Sequence, residues 1–340
     1  MNIRINHVRC TDLSSLPPCL PAETAAFLRE WFDGGEYVTG RTSGSTGAPK
    51  TVALPKRDML ASAALTNGYF GVTSRSVLLL CLSPAYIAGK MMIVRAIAAG
   101  ARLLAVAPGS NPLAAIDCPV DFAAMTPLQV ATSLSFPGSA QRLAQVGQLI
   151  IGGAAVPPPL EERLHSLPAA CYATYGMTET MSHVALRRLN GSGATPFYTA
   201  LGSVRFDADD RDCLLIDAPH LQQQRFVTND VVQLCSPVRF RWLGRFDNII
   251  NSGGIKLSPE NIEAKLAHLL SKRFFIAGEP DMRLGQRVAL VIEDRAWGKR
   301  EQEALIARIR QHLPPYECPK CIRFVPSFRE TPSGKIIRAV

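Results

Sequence analysis

Thr42–Lys50 reads Thr42-Ser43-Gly44-Ser45-Thr46-Gly47-Ala48-Pro49-Lys50 and concentrates groups that hold anions. Gly44 and Gly47 allow a tight turn and close backbone approach to a ligand. Consecutive amides in such a turn form an anion-binding concavity. The hydroxyls of Thr42, Ser43, Ser45 and Thr46 add donors, and Lys50 adds a point charge suited to phosphate. A Walker A loop needs Gly-x-x-x-x-Gly-Lys. Here Gly44, Gly47 and Lys50 are three apart and Pro49 stands where the second glycine belongs, so a P-loop NTPase or kinase is disfavoured. The same composition also describes a flexible Ser/Gly surface loop.

Four further stretches carry groups with chemistry. Tyr175-Gly176-Met177-Thr178-Glu179-Thr180 follows a strand-like run, and open α/β sheets bind ligands beyond the carboxyl ends of their strands. There Glu179 can hold Mg²⁺ together with triphosphate oxygens, and Tyr175 can lie flat against a purine. A turn with an exposed glutamate is the plainer alternative. Phe226-Val227-Thr228-Asn229-Asp230 ends in a carboxylate able to accept both hydroxyls of a ribose, although Asn-Asp is also a common turn pair. Leu243-Gly244-Arg245-Phe246-Asp247-Asn248-Ile249-Ile250 falls at a change of composition, where a charged residue can serve a hinge or simply end a strand. Pro332-Ser333-Gly334-Lys335-Ile336-Ile337-Arg338 sets a glycine beside a lysine near the terminus, able to present an ammonium to a ligand or to fray in solvent.

The elements that would position these groups follow from the apolar pattern. Of 340 residues, 47% are hydrophobic and 19% charged, which suits a soluble globular chain of two unequal domains. The net charge of +9 favours anionic partners. The basic pairs Arg187-Arg188, Lys272-Arg273 and Lys299-Arg300 form no stripe interleaved with aromatics, so no nucleic-acid partner is expected. Nine scattered cysteines lack the density of a disulfide scaffold, and Cys318-Pro319-Lys320-Cys321 has no second pair for zinc. Val77–Ala99 is apolar but interrupted by Pro84, Lys90 and Arg95, so no transmembrane segment is expected and a cytoplasmic location fits.

Helices over Glu23–Phe32, Arg57–Phe70 and Ile87–Gly100 alternate with strand-length runs at Val38–Arg41, Lys50–Leu54, Ser76–Leu82, Arg102–Val106, Phe122–Met125 and Leu149–Gly152. That alternation predicts a parallel sheet covered by helices. Short strands from residue 190 to 246 predict a β-rich part of a large domain spanning residues 1–246. From Asp247 to residue 340 a small α+β domain is expected. In it Gly253-Gly254 turns between two extended arms, Ser258 caps a helix with Pro259 at its first position, and that helix runs to about Leu270.

The order Thr42–Lys50, Tyr175–Thr180, Phe226–Asp230, Gly244–Glu263 and Pro332–Arg338 resembles the adenylate-forming superfamily of acyl-CoA synthetases, luciferases and peptide-synthetase adenylation domains. Ile151–Pro157 and Leu313–Lys320 resemble it as well. The resemblance implies that family's fold in an N-terminally truncated form: a large α/β domain with a β-rich subdomain, and a small mobile C-terminal α+β domain. It implies an ATP-dependent acid–thiol ligase using Mg²⁺ and coenzyme A. Thr42, Ser43, Gly44, Ser45, Thr46, Gly47 and Lys50 would hold the ATP phosphates. Tyr175 would stack on adenine, Thr178 would contact phosphate and Glu179 would bind Mg²⁺. Asp230 and Arg245 would hold the ribose, Asp247 would be the hinge, and Lys335 would stabilise charge in adenylate formation. Gly253, Gly254 and Lys256 would serve the thioester-forming half. Asn229 departs from the glycine usual before the ribose-binding aspartate.

Tyr175–Arg187 and Leu82–Ala96 are similar to compact o-succinylbenzoate–CoA ligases of menaquinone biosynthesis. That acid is an aromatic dicarboxylate whose second carboxylate needs a cation or hydroxyls. The resemblance places Lys90, Arg95, Ser182 and His183 in pocket-lining stretches, with Tyr86 or Ile87 against the ring. For Lys90 and Arg95 a helix polar face is the alternative, and for His183 a satisfied buried histidine. A CoA ligase for another aryl or short-chain acid, or a nucleotide-binding relative without catalysis, remains open at this level.

Overall fold

The computed structural model describes residues 2–41, 51–330 and 336–338. Thr42–Lys50 and Lys335 lie outside them. The chain divides into two compact units. One comprises Met1–Val156, Leu160–Arg205 and Ile216–Phe226, and the other Pro157–Pro159, Phe206–Leu215 and Val227–Val340.

The first unit contains β1 (Ile3–Ile5), β2 (Val8–Cys10), α1 (Ala22–Trp31), β3 (Tyr37–Arg41), β4 (Thr51–Pro55), α2 (Lys56–Phe70) and β5 (Val77–Leu80). It continues with α3 (Ile87–Ala99), β6 (Arg102–Ala105), β7 (Phe122–Met125), α4 (Pro127–Ser133), α5 (Pro137–Ala144), β8 (Gln148–Ile151), α6 (Pro158–Leu164), β9 (Ala170–Gly176), β10 (His183–Arg188) and β11 (Tyr198–Ala200). Strands β9, β8, β7, β5, β6 and β1 lie side by side in that order, every neighbouring pair parallel. All four residues of β7 are buried, and only the first of β5, β6 and β8 is not. Burial on both faces explains why these strands read as continuous apolar runs without alternation. Leu79, Met125, Leu149, Ile151 and Cys171 form part of the core on this sheet.

Beyond β9 the sheet continues with the antiparallel β10 and β11, and at its other edge β2 returns antiparallel to β1. Strands β3 and β4 stay outside it. They pair only with each other as an antiparallel ribbon, from Tyr37↔Pro55 to Arg41↔Thr51. Helix α3 is buried without a break from Gly89 to Ala96, as expected of a helix that is apolar nearly all round.

The second unit holds β12 (Arg205–Ala208), β13 (Cys213–Asp217), β14 (Arg225–Ser236) and β15 (Arg239–Arg245), hydrogen-bonded in that order. It continues with β16 (Ile250–Ser252), β17 (Ile255–Leu257), α7 (Pro259–Leu266), β18 (Phe274–Asp281), β19 (Gly285–Glu293), α8 (Lys299–Ile309) and β20 (Cys321–Val325). A second sheet runs β17-β16-β19-β18, and β20 pairs parallel to β19. Ile262, Leu266, Leu290, Ile292, Leu305 and Ile309 pack its core. The Ser258 hydroxyl accepts the Asn261 amide at 3.2 Å and Pro259 occupies the first helical position, so α7 starts where its cap dictates. It ends at Leu266, a turn short of Leu270, which the apolar spacing alone would include.

All nine cysteines are free, and only Cys19 and Cys235 are exposed. Burial pushes the Cys81 and Cys171 thiols up to about 12. Among the described residues no helix is long and apolar enough to cross a membrane.

Candidate functional site

Helix α3 carries two buried cations, and the fold separates them. Lys90 and Arg95 are five positions apart, so at 3.6 residues per turn they point about 140° away from each other. Lys90 faces α1. Its Nζ lies 4.4 Å from the Phe27 ring centroid and 3.8 Å from Glu30 Oε2. Burial lowers its pKa.

Arg95 faces α2 and β10. It is 1% exposed, has no ion pair with a carboxylate among the described residues, and its Nε has no acceptor. Burial brings its pKa down to about 9, so it remains a cation at neutral pH. Its Nη2 donates to Ser182 Oγ at 2.6 Å. Ser182 in turn lies 3.2 Å from His183 Nδ1, and His183 Nε2 lies 3.3 Å from Thr66 Oγ1, which donates to the Ser62 carbonyl at 3.2 Å. Because the guanidinium can only donate, the Ser182 proton goes to Nδ1 and the histidine carries its proton on Nε2. Burial, reinforced by the Arg95 charge, holds the His183 pKa well below its ordinary value, so the ring is neutral. Tyr86, half-buried, sits at the N-cap of α3.

The connection from β9 to β10 carries Thr178, Glu179 and Ser182. It is a return to an antiparallel neighbour, with Gly176 opposite His183. A Cβ at Gly176 would overlap the Ser182 carbonyl and lie 2.6 Å from the His183 Cα, so glycine is required there by close approach of the backbone. The buried Thr180 hydroxyl accepts the Met177 amide at 3.0 Å and lies 2.7 Å from the Ser182 carbonyl, tying the turn across its base. Glu179 stays exposed and Thr178 half-buried. Tyr175 packs edge-on against Tyr198, ring centroids 5.8 Å apart. Among the described residues no group of three or more His, Cys, Asp or Glu side chains is placed to hold a metal. One exposed carboxylate such as Glu179 fits a magnesium ion that takes most of its ligands from water and substrate phosphate.

In the second unit Asp230, Arg245 and Asp247 come together. Asp230 and Arg245 are register partners on β14 and β15. The Arg245 guanidinium lies 3.6 Å from Asp230 Oδ1 and 2.7 Å from Asp247 Oδ2, and Trp242 Nε1 donates to Asp230 Oδ1 at 3.1 Å. Sequence reasoning gave no role to Trp242: it pairs with Val232, two residues from Asp230, across a register shift between β14 and β15 that simple alternation does not signal. Gly253 and Gly254, at φ +60° and +83°, make the β16–β17 turn in a backbone region open to glycine. Lys256 is exposed opposite Asn251. Arg338, three positions beyond Lys335, is bonded through both guanidinium nitrogens to Glu263 on α7 and reaches the Ile276 carbonyl at 3.1 Å.

Comparison with known proteins supplies the family. Residues 41–209 match the AMP-binding enzyme model and residues 267–335 the AMP-binding enzyme C-terminal domain. A solved structure described as an acyl-CoA synthetase (AMP-forming)/AMP-acid ligase II-like protein from Dyadobacter fermentans is 37% identical, with a TM-score of 0.65, covering 96% of this chain and 95% of that one. A probable 2-succinylbenzoate–CoA ligase of Mycobacterium tuberculosis is 29% identical over 333 residues, spanning 91% of this chain and 85% of its own. The o-succinylbenzoate coenzyme A synthetase of Bacillus subtilis, solved with ATP and magnesium ion, shares the fold at TM-score 0.72 and 21% identity, over 88% of this chain and 68% of that one. Two matched domains and a relative of the same span at that identity make this chain a member of the AMP-binding, adenylate-forming family, an enzyme of the AMP-forming acyl-CoA synthetase/ligase kind.

Proposed function

We propose that the chain activates o-succinylbenzoate with ATP and transfers it to coenzyme A, serving menaquinone biosynthesis. Arg95 carries this reading. A buried guanidinium without a carboxylate is costly, and an unused buried donor calls for an acceptor. A dicarboxylic substrate brings one: one carboxylate accepts from the free Nε of Arg95, whose guanidinium Ser182 holds in place, while the other reacts. The likeness to curated 2-succinylbenzoate–CoA ligases at 28–29% identity supports the same acid. Lys90, held by Glu30 and Phe27, fits a pocket wall better than a carboxylate ligand.

In the first half-reaction a carboxylate oxygen attacks the α-phosphorus of ATP and pyrophosphate leaves. In the second, the CoA thiolate attacks the acyl carbon and AMP leaves. The first step needs charge stabilisation more than a protein nucleophile. We assign that task to Lys335 and Thr178, the phosphates to Thr42–Gly47 and Lys50, the adenine to Tyr175 and the ribose to Asp230 and Arg245. Magnesium, held through Glu179, would neutralise phosphate charge. Asp247 is the proposed hinge of a C-terminal domain from 247 to 340, and Gly253, Gly254 and Lys256 would serve the thioester half.

The test is thioester formation by the purified protein with ATP, Mg²⁺ and CoA across a panel of acids. Turnover of o-succinylbenzoate well above benzoate and short-chain acids is expected. Good turnover of a monocarboxylate with none of o-succinylbenzoate would overturn the choice of acid, and no pyrophosphate release with any acid would overturn catalysis.

A further inference from the structure

The Asn229 side chain is engaged at both of its polar ends. Its Nδ2 donates to Asp247 at 3.1 Å from Oδ1 and 3.4 Å from Oδ2. Its Oδ1 accepts from Arg211 Nη1 at 3.2 Å. Arg211 is itself fixed. Its Nε and Nη2 donate to Asp209 Oδ2 at 2.9 and 2.7 Å, and its guanidinium lies 5.0 Å from the Phe246 ring centroid. A guanidinium donates only, so Arg211 turns the amide oxygen toward itself and leaves the NH₂ for the Asp247 carboxylate. From the other side Arg245 holds Asp247 Oδ2 at 2.7 Å while lying 3.6 Å from Asp230. The Asp247 carboxylate is thus gripped from β14 by Asn229 and from the end of β15 by Arg245, and Phe246 beside it is covered by Arg211. Residues 246–248 form a single 3₁₀ turn, closed by the Ile249 amide on the Phe246 carbonyl at 3.2 Å, and Asn248 Nδ2 ties its far end to Glu260 Oε1 at 2.5 Å.

We propose that Asn229 and Arg211 are positioning residues that latch the Phe246–Asn248 turn, so that Asp247 changes its backbone angles only when the Asn229 bond is released. This rests on the reading of Asp247 as the hinge. A glycine at 229 would have no such bond, so the latch depends on the Asn229 side chain. The bond is charge-assisted and half-exposed, enough to slow a rotation but not to forbid it. Arg245 divides its guanidinium between Asp247 and Asp230, so a nucleotide ribose that draws Arg245 toward Asp230 would weaken one of the two grips on the hinge.

The variants are Asn229→Asp, which keeps the volume but repels Asp247, Asn229→Gly, and Arg211→Ala. Two readouts are taken on the full chain. One is hydrogen exchange at the amides of residues 247–249 with ATP and Mg²⁺ and no acid. The other is single-turnover thioester formation from preformed adenylate. Both Asn229 variants should raise the exchange and speed the thioester step roughly five-fold, the loss expected for one hydrogen bond exposed to solvent, with adenylate formation unchanged. Arg211→Ala combined with Asn229→Gly should add nothing to Asn229→Gly alone. Wild-type exchange and wild-type thioester rates in Asn229→Asp would overturn the latch, as would an effect in Asn229→Gly alone, which would trace to glycine flexibility. If only the acid has been misassigned, the thioester readout is silent in wild type and variants alike while the exchange difference stands. Raised exchange with an unchanged thioester step in an active protein would overturn the role assigned to the latch.

Discussion

Arg95 and Ser182 sit 87 positions apart in the chain and meet guanidinium to hydroxyl at 2.6 Å, with no carboxylate on the arginine among the described residues. Substituting Arg95→Lys keeps a charge but loses the planar fork. The kcat/KM for o-succinylbenzoate should fall about 10- to 100-fold, the value of a hydrogen bond to a charged group in a desolvated site, with KM carrying most of it. Turnover of a monocarboxylate such as benzoate should change far less. Pyrophosphate release with each acid checks both.

Glu279, at 6% exposure, accepts from Arg323 Nε at 2.8 Å and from Arg287 Nη2 at 2.9 Å, and the Cys321 thiol lies 3.4 Å away. The Arg323 hydrogen bond leads in lowering its pKa, and Arg287 and Cys321 add to it, from 4.5 to about 2. A depressed carboxylate stabilises fully above its unfolded pKa. Its contribution to the β18–β20 sheet should therefore be intact above pH 4.5 and drain away as pH falls toward 2. Urea unfolding across that range should show a steeper pH slope in wild type than in Glu279→Gln.

Removing Arg338 strands Glu263, whose pKa burial already raises. Arg338→Met should cost about 2–4 kcal/mol, less than for a fully buried pair because a quarter of the Arg338 side chain is exposed. Arg338→Met with Glu263→Leu should recover part of that loss, since the carboxylate bonded to both ends of the guanidinium is removed with it and only the longer Glu260 pair is left unmatched. Denaturant midpoints of the single and double variants test it.

Gly176→Ala would push a methyl into the Ser182 carbonyl. We expect a stability loss of about 1–3 kcal/mol and a larger proportional loss of adenylate formation, because the displaced backbone carries Thr178 and Glu179. Equal activity per folded molecule in wild type and variant would remove the turn from the site.

The apolar runs at β5–β8 and the long helices α2 and α3 were legible because burial on both faces leaves no other reason for such runs. The cap at Ser258 and the Gly253-Gly254 turn were legible from local chemistry. Strands β1 and β2 were not: three residues each, they exist only because β6 offers an open parallel edge. Helix α5 was missed because Pro-Gly-Ser-Ala-Gln-Arg-Leu-Ala buries only Ser139 and Leu143. That β3 and β4 form their own ribbon depends on pairing, which neither strand announces. At the site, Arg95 was visible in the sequence as a break in the apolar run of α3, with a helix polar face as its alternative, but its burial and its separation from Lys90 needed the helix. Arg211 carried no signal at all, since it reaches Asn229 through tertiary structure.

The cysteines carry one further consequence. Cys19 lies in the first compact unit and Cys235 in the second, and they are the exposed thiols of the nine. Cys10, Cys81, Cys171, Cys213 and Cys318 are buried with raised pKa values, which leaves little reactive thiolate. The natural chain therefore presents one preferred attachment point for a fluorescent or spin probe on each unit, so each unit can be labelled without first engineering the protein.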